Sequence, residues 1–193
     1  MREATFEYYD RRAAEYDETS WEQSNGADES VRLVLSTLPP ASTLDIGCGT
    51  GYVSRWLPGS LTLMDASSSM LSIAKRRRPD ATIVRASAPS LPFPDRTFGR
   101  AFAANLYGHL PLHQRVLLVG EMRRVAAELV VLEQVAGSGS FSEGPERRQL
   151  LDGSEFVIHK CYFTVERLLE ELGGGEILMA GPEFAIIRRL STE

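Results

Sequence analysis

A chain of 193 residues, 43% hydrophobic and 24% charged, has the length of one domain and the balance of a globular protein, which excludes the disordered and fibrous classes. Its net charge of -5 argues against a nucleic-acid partner, because phosphates need a basic face. Cys48 and Cys161 alone build neither a disulfide framework nor a four-cysteine zinc site. Met1-Arg2-Glu3-Ala4 opens no export signal, and no run reaches the ~18 apolar residues of a membrane span, so a cytoplasmic protein with no membrane partner is expected.

In chain order, residues 4 to 18 and 28 to 38 carry helical patterning, and Pro39-Pro40 stops the second helix. Short apolar runs suited to buried strands follow at Thr43–Ile46, Leu61–Asp65, Thr82–Val84, Phe98–Asn105 and Leu129–Val135. Helices are expected between them at 50 to 57, 67 to 78 and 111 to 127. This alternation predicts an α/β fold, a doubly wound and mostly parallel sheet with helices on both faces. The run Lys75-Arg76-Arg77-Arg78 ends a helix, where solvated cations complement the helix dipole. Gly137 to Gly144 and Gly173 to Gly175 read as loops, and Phe156 to Tyr162 as an added strand or loop. Thr164 caps a last helix over 164 to 172. Glu176–Met179 and Glu183–Leu190 are then separated by only Ala180-Gly181-Pro182, too short for a parallel crossover, so they form an antiparallel hairpin.

The chemistry concentrates at Leu44-Asp45-Ile46-Gly47-Cys48-Gly49-Thr50-Gly51. Its glycines lie where a first strand turns toward a helix and let backbone approach a ligand. A dinucleotide fingerprint requires glycine at the sixth position from Gly47, which is Tyr52, so a nicotinamide oxidoreductase is disfavoured. Asp65 ends the next strand, where a carboxylate accepts the hydroxyls of a ribose; the structural alternative for it is a helix cap.

Three ordered segments, Leu44 to Gly51, Met64-Asp65-Ala66-Ser67-Ser68-Ser69-Met70-Leu71 and Leu91-Pro92-Phe93-Pro94-Asp95-Arg96-Thr97-Phe98, resemble class I S-adenosylmethionine-dependent methyltransferases. The resemblance spans about residues 5 to 135 and looks closest to small-molecule enzymes that include the quinone-biosynthesis C-methyltransferases. It implies a Rossmann-like methyltransferase fold of seven strands over residues 1–193, with 1–20 as an N-terminal lid helix. It further implies S-adenosylmethionine as cofactor, with Gly47, Cys48 and Gly49 against its methionine part and Asp65 on its ribose. Ala66 and Met70 would flank adenine, Met70 being otherwise core filler. Ser87, beside Ala88, stands where relatives carry an acid for the adenine amino group. Asn105 and Leu106 fit the strand end that approaches the methionine amino group, or are simply a buried strand end. Gly99-Arg100 replaces the family's frequent aspartate after Phe98, with a structural effect expected.

Tyr9 and Tyr16, seven apart, share a face of the expected lid helix and would cover the cofactor, unless the helix merely docks. His109, after Asn105-Leu106-Tyr107-Gly108, is the general-base candidate, since neutral imidazole accepts a proton near neutral pH; hydrogen bonding to loop backbone is its structural alternative. His113 reads as solvated, and Tyr162 as an aromatic wall of the acceptor pocket. No metal is expected, because no acid lies between Asp95 and Glu121. Methyl transfer to a small-molecule acceptor is thus weighed against a noncatalytic regulator that binds S-adenosylmethionine or S-adenosylhomocysteine.

Overall fold

The computed structural model describes residues 3–20, 27–136 and 140–191. Its strands are β1 (Thr43–Ile46), β2 (Leu61–Asp65), β3 (Thr82–Arg85), β4 (Phe98–Ala104), β5 (Ala126–Gln134), β6 (Ser142–Gln149), β7 (Glu155–Tyr162), β8 (Glu176–Ala180) and β9 (Phe184–Leu190). Seven of these form one sheet in the order β3-β2-β1-β4-β5-β9-β8. The first five are parallel neighbours, while β9 runs antiparallel between β5 and β8. The expected sheet and terminal hairpin are both present.

The helices are α1 (Glu3–Arg12), α2 (Tyr16–Ser20), α3 (Ala27–Ser36), α4 (Ser68–Arg77), α5 (Leu112–Val125) and α6 (Val165–Glu171). Side chains alternate across the sheet with period two. Along β5, Leu129 and Val131 enter the core beneath α5 and α6, where they meet Leu118, Met122 and Leu168. Val130 and Leu132 enter the opposite core with Val31 and Leu35 of α3 and Ala74 of α4. Helices therefore cover both faces. Order reverses between β1 and β4, and such a switch point opens a crevice at the carboxyl ends of the strands. Gly47 leaves β1 and Asn105 leaves β4 into that crevice.

Three expected elements differ. Over 50 to 57 only a short 3₁₀ turn, Ser54–Trp56, forms. Gly51 has φ +71°, Pro58 follows closely, and the Ser54 hydroxyl donates to Asp45, so too few residues remain for a helix. The expected lid helix breaks into α1 and α2; residues 1 and 2 lie outside the described residues. In the expected loop at 137 to 144, residues 137–139 lie outside them too, and from Ser142 the chain forms β6. It pairs antiparallel with β7 as a separate ribbon. The cap expected at Thr164 is present, its hydroxyl accepting from Arg167 N at 3.1 Å.

Arg100 on β4 forms a buried pair with Glu128 on β5 at 2.5 Å, and Arg188 on β9 meets the same carboxylate at 2.5 Å. The departure at Gly99-Arg100 is thus a strand-to-strand tie. Among the described residues, no helix is long and apolar enough to cross a membrane.

Candidate functional site

The loop after β1 is held open by backbone. Gly47 has φ +68° and Gly49 φ +54°, a region costly for other residues. Gly47 N and Cys48 N both donate to Met64 O, at 2.7 and 3.0 Å, and Gly51 N donates to Cys48 O at 2.9 Å. A Cβ on Gly47 would lie 3.0 Å from the Leu106 side chain, whereas one on Gly49 would face Met70 Sδ and Tyr16 at 3.9 Å across the crevice.

Asp65 ties this loop to the start of α4. Its Oδ2 accepts from Gly49 N at 2.9 Å and its Oδ1 from Ser67 N at 2.8 Å. Each oxygen keeps a second acceptor site. Burial raises its pKa against the pull of those backbone bonds. The crevice here is bounded by Tyr9, Tyr16, Gly49, Met70, Asn105 and Leu106. An adjoining compartment lies between Asp65, Ala66, Ala86, Ala88 and Leu106. Cys48 lines the other end with Asp45.

Ser87 stands apart from its expected place: it is exposed, and its hydroxyl donates to Ala88 O at 3.2 Å. Ala86 and Ala88 supply the wall. Asp45, which motif reading passed over as part of a strand, is buried with Oδ1 lacking a partner among the described residues. Burial pushes its pKa up to about 7. Asn105 adopts φ +53° and buries an Oδ1 that likewise lacks a partner. Asparagine tolerates this conformation better than most residues.

The segment 3–20 roofs the crevice. Tyr9 and Tyr16 come together with ring centroids 6.1 Å apart, although the turn between α1 and α2, and not one helical face, brings them there. Two aspartates latch this roof. Asp10 Oδ1 accepts from Ser67 Oγ, the α4 cap, at 2.6 Å. Asp17 accepts from Thr50 Oγ1 at 2.5 Å and pairs with Arg77 at 2.5 Å. Arg77 also donates to Thr50 O at 2.7 Å, so this member of the basic run is engaged in the roof and is not simply solvated.

His109 lies in the 3₁₀ turn Tyr107–His109 and is 6% exposed. Its Nδ1 is 3.0 Å from His159 O; a carbonyl only accepts, so Nδ1 carries the proton. Nε2 is left to accept from the Tyr9 hydroxyl at 2.7 Å. Burial, joined by the Lys160 charge, drives the His109 pKa well below its ordinary value, and burial drives that of Tyr9 well above its own. The imidazole is neutral at physiological pH. His113 is exposed, as expected of a solvated helix face.

Beyond Asn105 and His109 opens a second cavity of about 550 Å³, open to solvent, whose wall includes Arg12, Gln134, Arg148, Lys160 and Phe184. Sequence reading missed these cations. Tyr162, expected in the wall, turns its hydroxyl to Glu146 Oε2 at 3.0 Å, and its β7 neighbour Lys160 takes the position.

Residues 43–128 match the methyltransferase domain family. The chain is 35% identical to the demethylmenaquinone methyltransferase of Thermotoga maritima over 65% of this chain and 59% of that protein. It is 27% identical to the malonyl-[acyl-carrier protein] O-methyltransferase of Serratia marcescens over 81% of this chain and 62% of that one. The chain thus spans about three fifths of the length of these curated relatives. In three dimensions it resembles the structure described as the DhpI-SAH complex, with a TM-score of 0.83, 23% identity and coverage of 99% and 97% of the two chains. The motifs, the sheet order and the methyltransferase-domain match over residues 43–128 agree in likening the chain to the class I S-adenosylmethionine-dependent methyltransferases.

Proposed function

We propose that this chain transfers a methyl group from S-adenosylmethionine to a small-molecule acceptor and releases S-adenosylhomocysteine. The observation that carries this reading is that two compartments, one glycine-walled and one polar, meet at Asn105 and His109 beneath a shared roof. When bound, S-adenosylmethionine supplies a methyl group on a sulfonium. The residues present suit it. Gly47, Cys48 and Gly49 offer backbone without side-chain obstruction, Asp65 offers spare acceptor sites for ribose, and Ala66, Ala88, Met70 and Leu106 offer an apolar adenine wall. The unpartnered oxygens of Asp45 and Asn105 suit a cationic amino group.

Tyr9 and Tyr16 close the roof, exclude water and position the acceptor, a source of much of the acceleration in such a reaction. His109 serves as proton sink, but through Tyr9: its Nε2 lone pair already holds the Tyr9 hydroxyl, so an acceptor proton passes to the phenol oxygen as the phenol proton passes to Nε2. Ser87 has no part in this reading.

The test is to incubate the protein with methyl-labelled S-adenosylmethionine and a metabolite panel, and to follow S-adenosylhomocysteine release together with label in the acceptor. Stoichiometric appearance of both is expected with at least one acceptor. Tight binding without turnover across the panel would favour the noncatalytic regulator.

A further inference from the structure

The second cavity has a chemical character of its own. Its cations come from three elements: Arg12 from α1, Arg148 from β6 and Lys160 from β7. Lys160 is 3% exposed, which a lysine rarely accepts without a partner. Yet its Nζ meets Glu133 Oε2 only at 4.0 Å, beyond hydrogen-bond length. Arg148 buries an Nε with no acceptor among the described residues. Arg12 donates to the hydroxyls of Thr19 and Ser20, at 2.9 and 2.8 Å, and meets no carboxylate among the described residues.

Two acids do stand near. Glu146 pairs with Arg148 at 2.8 Å, and Glu133 lies behind Lys160. Neither belongs to the cavity wall, which among the described residues presents no carboxylate. The three charges also converge on one place, since each of them acts to depress the pKa of His109. An ammonium with its carboxylate beyond hydrogen-bond length, one guanidinium with an unpartnered Nε and another bonded to hydroxyls, around an open space beside the Tyr9–His109 pair, describe a receptor for negative charge. Their gathering around one cavity, with Lys160 buried and Arg12 and Arg148 half-buried, distinguishes them from a basic surface that would track a nucleic-acid backbone.

We propose that the methyl acceptor carries an oxyanionic group, a carboxylate, phosphate or phosphonate, which Arg12, Arg148 and Lys160 hold in this cavity. The assignment rests on the methyl-transfer reading for the word acceptor, but the anion site itself does not depend on turnover. It accounts for cations that neither the cofactor compartment nor the core requires, and it makes a neutral quinone-like ring the wrong occupant.

The experiment titrates inorganic phosphate, methylphosphonate and acetate into protein saturated with S-adenosylhomocysteine, with dimethyl methylphosphonate as the uncharged control. Binding is followed by calorimetry and by phosphorus NMR. Saturable binding of at least one anion, absent for the control, is expected. In Arg148→Met the affinity should fall about tenfold or more, the usual loss for a charge-assisted hydrogen bond, while Arg148→Lys retains part of it and S-adenosylhomocysteine affinity holds in both. Arg12→Met should show the same loss and guards against a purely structural effect of Arg148. The proposal is overturned if the anions bind no better than the control, or if Arg148→Met and Arg12→Met bind them as the parent does. Anion binding in a protein that does not take up S-adenosylhomocysteine would support the site and sink the methyl-transfer reading instead.

Discussion

Around Gly47 and Asp65 the crevice is walled by backbone, small side chains and one braced carboxylate, all within a stretch that leaves two neighbouring strands. Around Lys160 it is walled by long side chains brought together from α1, β6 and β7. The first region gains its shape from strand ends, where a glycine with positive φ and an aspartate at a strand terminus are enough to leave room for a ligand. The second has no shape until the ribbon folds against the roof. The difference teaches that in one crevice a cofactor wall can be local while an acceptor wall is assembled entirely from tertiary contacts. It also separates the two in experiment: substitutions in one region should spare binding in the other.

The largest effect should come from the boundary. His109→Ala should slow turnover by about 100- to 10,000-fold, the usual worth of general-base assistance, and leave S-adenosylhomocysteine affinity nearly unchanged. Because the His109 pKa lies well below its ordinary value, the base stays deprotonated as pH falls through the normal histidine range. Single-turnover rates should therefore show no acidic limb near pH 6.5, the ordinary value. A limb there that Tyr9→Phe leaves untouched would remove the relay.

On the cofactor side, Asp45 has a pKa of about 7 against an ordinary 3.8. A carboxyl whose folded pKa is raised binds its proton more tightly folded than unfolded. Its contribution is therefore complete below about pH 4 and is lost as pH rises toward 7, by up to about 4 kcal/mol at ~1.4 kcal/mol per unit. Denaturant unfolding of Asp45→Asn across this window should lack that decline. A parallel pH dependence in both proteins would show that Asp45 is ionised in the native state.

Asp65→Ala sharpens the comparison further. Loss of a charged acceptor costs about 1 to 3 kcal/mol, or roughly 5- to 150-fold in affinity, and calorimetry should find it in S-adenosylhomocysteine binding but not in methylphosphonate binding. Loss in both would mean that the two regions are one coupled site.

How much of this was legible follows from the same contrast. The loop, Asp65 at a strand end and the succession of strands in a mostly parallel sheet could be read because the signal is contiguous and apolar runs mark buried strands. The terminal hairpin was legible because three residues cannot span a parallel crossover. Conversely, Ser142-Glu143-Gly144-Pro145-Glu146-Arg147-Arg148-Gln149 is polar and contains glycine and proline, which a short exposed ribbon tolerates but no strand pattern announces. Without β6 there was no reason to bring Arg148 toward Lys160 or either toward Arg12. Helical periodicity paired Tyr9 with Tyr16 correctly for the wrong reason, since Asp10 and Asp17 anchor to Ser67, Thr50 and Arg77 and the helix yields between them. Tertiary bonds outweighed propensity there.

The central claim, that the glycine-walled compartment holds the cofactor, is tested most directly by titrating S-adenosylhomocysteine into the parent protein and Gly49→Val. At φ +54° a β-branched residue is strained, and its methyls would enter the crevice between Met70 and Tyr16. The account predicts one equivalent bound by the parent, and a loss of roughly 100-fold or more in the variant, equivalent to about 2.7 kcal/mol, with methylphosphonate binding preserved. Equal binding by both proteins, or none by the parent, would contradict it.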